Sequence, residues 1–421
     1  MRALRLLGFV LVAALVGGIL RQSSAQGPVP VKIVFIRGFS GDMLQLVVNM
    51  YKQKFPNRPV ELTLLPYDDM HNKVLAELAG HTGNIDAAPI EAPVQLSETY
   101  SFLEPLEPYL AKNPSVKLDE FLPPGLPSSR HPYPNGQLYT LPFRQGVDIT
   151  HFRADLFEKA GLSAPTTIEA ITAAAEKLRR PGFYPITAML QQGPYLINQW
   201  LTLLWGFGGD VLDRNLKTVE LGQPAVNATQ WLIDLIYKDK VLPEASLNYV
   251  IEDTFGALAK GNAAIAVISS ANITPLDKGI VAAGGKMGYA PPPHIRSVPV
   301  GRGVFWAWTF GIPRDSKNKV AAWDLIKYIS SYDAQLEAAV KLGNGPVLTS
   351  VFTSAAYKQA TPAAAAMLEA FKYAKPKPPH PQWAKIEDAL ASEISSALAR
   401  QKTAKTAMDD AAKRIAEIIA K

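Results

Sequence analysis

The chain has no cysteine in 421 residues. That excludes disulfides, thiolate catalysis and cysteine-bound metals, and it removes the residue a lipid-anchored precursor needs at its processing point. Histidine is scarce. His71, His81, His131, His151, His294 and His380 have no partners at metal-site spacing, so neither a metal nor a cofactor is expected. Charged residues make up 19% of the chain and the net charge is +6, dispersed rather than gathered in a basic stripe, which argues against nucleic acid as a partner. There is no glycine–lysine phosphate loop and no dinucleotide fingerprint. Gly38 to Asp42 holds half of a nucleophile elbow but lacks its last glycine. Nothing here asks for an enzyme. Solenoid repeats and long low-complexity linkers are also missing.

What is present is a large apolar content, 48% of residues, in a chain long enough for two lobes of ordinary size. A core that large needs no disulfides outside the cell. The first residues stand apart from it. Arg2 and Arg5 form a basic start, Leu6 to Leu20 carries no charge, and Ser23-Ser24-Ala25 offers small residues. This pattern predicts a secretory signal over residues 1–25, cleaved after Ala25, because the apolar run is short for a spanning helix. Arg2, Arg5 and Arg21 account for three of the six excess positive charges.

From residue 28 the sequence alternates between strand and helix patterns. Val31 to Ile36 reads as a buried strand, and Leu44, Val47, Val48, Tyr51 and Phe55 recur at helical spacing behind Ser40, a candidate N-cap. Val60 to Leu65 is a second strand, followed by a helix with Asp68 or Asp69 at its start and Gly80 at its end. A helix behind Thr166 or Thr167, a strand over Ala263 to Ile268 and a helix around Trp323 continue the grammar, which is that of an α/β protein. Lys375 to Pro381 is rich in proline and lysine. Beyond it Trp383, Ile386, Leu390, Ile394 and Leu398 form a helical stripe.

Several blocks then occur in a characteristic order. They are Asn135-Gly136-Gln137-Leu138-Tyr139-Thr140-Leu141-Pro142, Asp155-Leu156-Phe157 with Ala160-Gly161-Leu162, and Gly206-Phe207-Gly208-Gly209-Asp210. Phe255-Gly256-Ala257-Leu258 with Gly261-Asn262-Ala263-Ala264 follows, then Lys286 to Pro292. The last is Gly311-Ile312-Pro313 with Ser316-Lys317-Asn318-Lys319 and Ala321-Ala322-Trp323. With these in order behind a signal peptide, the chain resembles the extracellular solute-binding proteins (family 1) of ABC importers, the group that includes maltose-binding protein. It departs from the family at Phe152-Arg153, where tyrosine–asparagine is usual, and over Ala87 to Pro93, where an aromatic is usual.

The resemblance implies a two-lobed α/β fold of the type II periplasmic-binding-protein class, its discontinuous lobes joined by a hinge. Lobe 1 is expected over 28–142 plus 310–345 and lobe 2 over 143–309 plus 346–421. It also implies a periplasmic, monomeric carrier that closes on a sugar or polyol and delivers it to ABC permease subunits in the membrane. Sugars present hydroxyl edges and C–H faces, so the site wants planar polar groups and aromatic rings. At the cleft positions implied by the family stand Arg37, Phe39 and Ser40 after the first strand, and Glu91 in the loop after the third. Arg144 and Gln145 open the first crossing, Tyr195 and Asn198 lie before the glycine pair, and Ser269 and Ser270 end a strand. Phe305 and Trp306 precede the Gly311 block, with Trp306 as the stacking platform, and Asn344 follows a helix. Trp200 and Trp383 sit in apolar stripes and read first as core. Ser40 reads equally as a cap, Phe305 to Trp308 as hinge packing, and the two arginines as surface ion pairs. Other readings remain: an anionic solute such as glycerol 3-phosphate on Arg37 and a helix N-terminus, an enzyme on a similar scaffold, or an interaction role without a ligand.

Overall fold

The computed structural model describes residues 28–270, 273–343 and 345–420; the expected signal over 1–25 and the candidate Asn344 fall outside them. The opening strand β1 (Val31–Ile36) pairs in parallel with β2 (Val60–Leu65), and Ile33 bridges to Ala87 just ahead of β3 (Ala88–Ala92). Helix α1 (Phe39–Lys54) turns Met43, Leu44, Val47, Val48 and Tyr51 inward, the face its spacing predicts. Its start differs from expectation. Gly38 holds φ +94°, a left-handed conformation only glycine adopts without strain, and begins the helix two residues before Ser40. Helix α2 (Tyr67–Ala79) likewise begins behind Pro66, with Asp68 and Asp69 inside its first turn, where they complement the helix dipole.

The long strand β4 (Thr140–Arg153) organises the rest. Its first half pairs antiparallel with β7 (Val304–Gly311), and its second half with β5 (Ile265–Ser269) and β6 (Met287–Ala290). β7 in turn pairs with β3, and β8 (Lys375–Pro376) lies parallel beside its start. Two large cores flank this ladder. One gathers Val31 to Ile149 with Phe305 to Phe371; the other gathers Phe152 to Val267 with Trp383 to Ile415. The chain passes from one core to the other along β4, β7 and the segment that begins with β8.

The expected division of the chain differs in one large respect. Residues 346–371, expected in the second lobe, lie with the first: Val351, Phe352, Tyr357, Met367 and Phe371 pack in the first core, with Phe371 against Phe305 and Phe352. The chain returns to the second core only past the proline-rich segment, where Trp383 is buried. The passages on β4 and β7 also lie deeper, near 149–152 and 304–305, than the expected 142 and 309. A crossing strand is buried on both sides of the passage, as β4 is from Thr140 to Phe152, so its residue pattern does not mark where one core gives way to the other.

Candidate functional site

The pleat of the crossing strands sorts the candidates. Cross-strand pairs Arg144↔Trp308 and Gly146↔Trp306 share one face; Gln145↔Ala307 and Val147↔Phe305 share the other. The second face belongs to the first core. Phe305 is 2% exposed there and meets the Phe371 ring edge-on. Gln145 is buried beside it and donates through Nε2 to the Pro346 carbonyl at 3.2 Å. Both were expected to touch ligand, and period-2 geometry turns both away.

The first face carries a continuous arrangement of rings and polar groups. The Arg144 guanidinium lies 5.0 Å from the Phe39 ring centre and 4.9 Å from that of Trp306. Arg144 Nη1 donates to the Ser40 hydroxyl at 2.5 Å, and Trp306 Nε1 donates to the Ser269 hydroxyl at 3.0 Å. Ser40 therefore holds an arginine and does not cap its helix. Burial lowers the Arg144 guanidinium to about 9, still cationic at neutral pH. Gly146 makes the arrangement possible. A Cβ there would fall 2.3 Å from Trp306 Cζ2 and 2.7 Å from Nε1, so the indole lies directly against the strand backbone. Phe39 and Ser40 come from the first lobe, Ser269 from the second, and Arg144 and Trp306 from the strands between them.

A second group faces across the same region. Glu91 stands on β3 itself, opposite Trp308, and not in the loop beyond it. It accepts the Tyr67 hydroxyl at 3.0 Å, while its backbone N–H donates to Gln95 at 2.8 Å. The Glu91 carboxylate beside it, then burial, push the Tyr67 phenol well above its ordinary range, and Glu387 of the second lobe adds to this. Tyr195, 38% exposed on helix α3 (Pro194–Gly206), is raised first by burial and then by Glu252 and by Glu91 of the first lobe. Charges of one lobe thus act on a tyrosine of the other, Glu387 on Tyr67 and Glu91 on Tyr195. Asn198, half-buried on the same helix, has an inaccessible Oδ1 without a hydrogen-bond partner.

The remaining candidates are placed as follows. Arg37 is exposed in the turn after β1. Ser270 exchanges hydrogen bonds with Val147, its N–H donating to the carbonyl at 2.9 Å and its hydroxyl accepting the N–H at 3.2 Å, and so ties β5 to β4. Trp200 and Trp383 are core, Trp200 donating to the Thr229 hydroxyl at 2.9 Å. Tyr67 and Gly146 are not among the expected site residues, whereas Ser269 is. Tyr67 had the same signal as Phe39, a position just after a strand at a helix start. Gly146 shows its role only once Trp306 lies across it. A recess of about 650 Å³ lies at the far end of α1, around Lys54, Arg58, Asp324 and Tyr332. It is away from these groups, and its pairs Arg58–Asp324 and Lys54–Asp333 close on each other at 3.0 and 3.7 Å. Among the described residues, no group of three or more His, Asp or Glu could hold a metal, and no helix is long and apolar enough to cross a membrane.

A family model described as bacterial extracellular solute-binding protein matches residues 40–336, a range that contains every motif block from Asn135 to Trp323. The mannitol-binding protein of Pseudomonas aeruginosa is 27% identical over 376 residues, covering 84% of this chain and 82% of its own. An arabinooligosaccharide-binding protein of Halalkalibacterium halodurans is 24% identical over 207 residues, 48% of this chain; the match spans only 44% of that relative's length. Among solved structures, maltose-bound MalE3 of T. maritima superposes with a TM-score of 0.81 at 28% identity, covering 92% of this chain and 99% of that one.

Proposed function

The chain belongs to the bacterial extracellular solute-binding protein family, and from that premise we propose that it captures a neutral sugar or polyol between its lobes for an ABC importer. In this reading residues 1–25 direct export, the mature chain works as a periplasmic monomer, and hinge closure presents the loaded form to the permease subunits. It binds its solute without turning it over.

The observation that carries the ligand class is the pairing of rings with fixed polar groups on opposed lobes. Phe39, Trp306, Tyr67 and Tyr195 supply surfaces for C–H faces; Glu91, Asn198, Ser269 and Arg144 supply hydroxyl partners. Relatives that bind mannitol and maltose point the same way. An anionic solute is disfavoured. Arg37 stands exposed, Arg144 is engaged with Ser40 and two rings, and Glu91, Glu252 and Glu387 act on the tyrosines that would meet the ligand.

A thermal-shift screen of the purified mature protein tests this, with D-mannitol, ribitol, maltose, arabinooligosaccharides and glycerol 3-phosphate. At a hundredfold excess over Kd a ligand specific for the folded state adds about 2.7 kcal/mol. A selective shift with a neutral carbohydrate is the expected result. A shift confined to the phosphorylated compound, or no shift after refolding to remove co-purified ligand, overturns the assignment.

A further inference from the structure

A side chain, and not another strand, takes up the backbone of β3 at Glu91. β3 pairs along one edge with β7, in the register Glu91↔Trp308, and the Glu91 N–H donates instead to Gln95 Oε1 at 2.8 Å. Gln95 belongs to the short helix Val94–Thr99 that follows β3. Its amide nitrogen faces His71 Nδ1 of α2 at 3.1 Å. His71 lies one turn beyond Tyr67 on α2, the two rings parallel within 1° at 6.1 Å. The Tyr67 hydroxyl donates to Glu91 at 3.0 Å, and its ring meets Trp308 edge-on at 6.2 Å. Glu91, Gln95, His71 and Tyr67 thus close a circuit at the acidic side of the cleft.

We propose that Gln95 and His71 are positioning residues for the Glu91–Tyr67 pair, and that a proton on His71 undoes their hold, so that solute is bound more tightly above neutral pH than below it. The inference rests on the solute-capture reading and deepens it. Each step follows from donor and acceptor chemistry. A backbone N–H can only donate, so the Gln95 atom that faces Glu91 is the amide oxygen. The atom that faces His71 is then the amide nitrogen, which also can only donate, and His71 Nδ1 must accept. His71 is thereby held neutral, with its proton on Nε2. A second proton, on Nδ1, would set two donors against each other at 3.1 Å. Turning the Gln95 amide over relieves that conflict only by placing its nitrogen against the Glu91 N–H, 2.8 Å away. One amide cannot serve both neighbours once His71 is charged, and Glu91 loses its brace. The other titratable groups around His71 come from three elements. Glu98 acts on it from one turn further along the short helix, where burial raises the Glu98 carboxyl and His71 pulls the other way. Glu91 lies beyond Gln95 on β3, and Tyr67 stacks from α2 itself. By linkage, a proton that loosens Glu91 lowers affinity for any solute that Glu91 holds.

The test is the pH profile of D-mannitol and maltose binding by titration calorimetry, from about pH 8 down to about 5.5, the interval in which histidine side chains take up a proton. Wild-type affinity should fall by about two- to tenfold towards the acid end, the worth of one hydrogen bond. His71→Gln keeps an acceptor for the Gln95 amide but has no proton to gain, so its affinity should stay level. Gln95→Glu offers an acceptor to the Glu91 N–H and another to a charged His71, so its affinity should not fall as the pH is lowered. Gln95→Leu removes both contacts and should bind weakly throughout, without a slope. A second arm needs no ligand. Nitrogen NMR of the imidazole rings, with His71 assigned by its loss in His71→Gln, should find the His71 proton on Nε2 at pH 8 in the wild-type protein. A level wild-type profile, affinity that rises towards acid, a slope that survives in His71→Gln, or a His71 proton on Nδ1 at pH 8 overturns the proposal. If neither carbohydrate binds while the ring proton is where it is expected, the hold of His71 and Gln95 on Glu91 stands and the choice of solute fails alone.

Discussion

Gly146→Ala is the sharpest probe of the cleft floor. The added methyl would lie 2.3, 2.5 and 2.7 Å from Cζ2, Cε2 and Nε1 of Trp306. Carbon atoms in contact sit near 3.5–4.0 Å, so the indole must move by more than an ångström. The shift breaks the Nε1–Ser269 hydrogen bond at 3.0 Å and the seat of Arg144 at 4.9 Å. Overpacking of this kind costs about 1–3 kcal/mol, and the reduced freedom of the unfolded alanine chain returns about 0.4–1 kcal/mol. A net loss of about 1–2 kcal/mol corresponds to a melting temperature lower by about 2–8 °C for lobes of this size. Displacing the platform should also weaken carbohydrate binding by about tenfold or more, since one lost hydrogen bond and one lost ring contact together are worth more than about 1.4 kcal/mol. Differential scanning calorimetry and titration calorimetry on the same preparations measure both effects. A Gly146→Ala protein with wild-type melting temperature and affinity would show that Trp306 does not lie on the strand, and the site built here would fall with it.

The two faces of β7 predict opposite outcomes for neighbouring aromatics. Trp306→Ala should cost at least about 2 kcal/mol of binding, near thirtyfold in Kd by titration calorimetry, with a small change in melting temperature. Phe305→Leu should lower stability by about 1–1.5 kcal/mol by denaturant titration while leaving affinity within about twofold, because its ring packs on Phe371 and not on solute. His151, fully buried beneath Phe255 and Tyr289, is held neutral by burial, its pKa lowered to about 4 although its Nδ1 contact with the Ile149 carbonyl opposes this. With a folded value below the unfolded 6.5, its contribution to stability is present above pH 6.5 and is lost as pH falls towards 4. His151→Phe should flatten that acid limb of the melting-temperature profile; an unchanged acid limb would refute the buried neutral assignment.

The sequence alone determined the class of the protein, because that depends on local signals repeated many times. Strand patterns such as Val31–Ile36, helical stripes such as Leu44–Tyr51 and motif blocks from Asn135 to Trp323 each rest on residues close together in the chain, and the family match spans them. It also singled out Phe39, Ser40, Arg144 and Trp306, which the fold does bring together. What only the tertiary structure decided concerns faces and partners. Gln145 and Phe305 are one residue from Arg144 and Trp306, yet the pleat sends them into the first core. Ser40 looked like a cap, but its role follows from an arginine 104 residues away. The helices over 349–371 bear the same apolar patterns as their neighbours in sequence, and only packing on Phe305 shows which core they join. Gly146 and Gln95 were silent in the sequence for the same reason. A glycine states no preference until an indole needs its space, and a glutamine is unremarkable until the fold sets a backbone N–H on one side of its amide and an imidazole on the other.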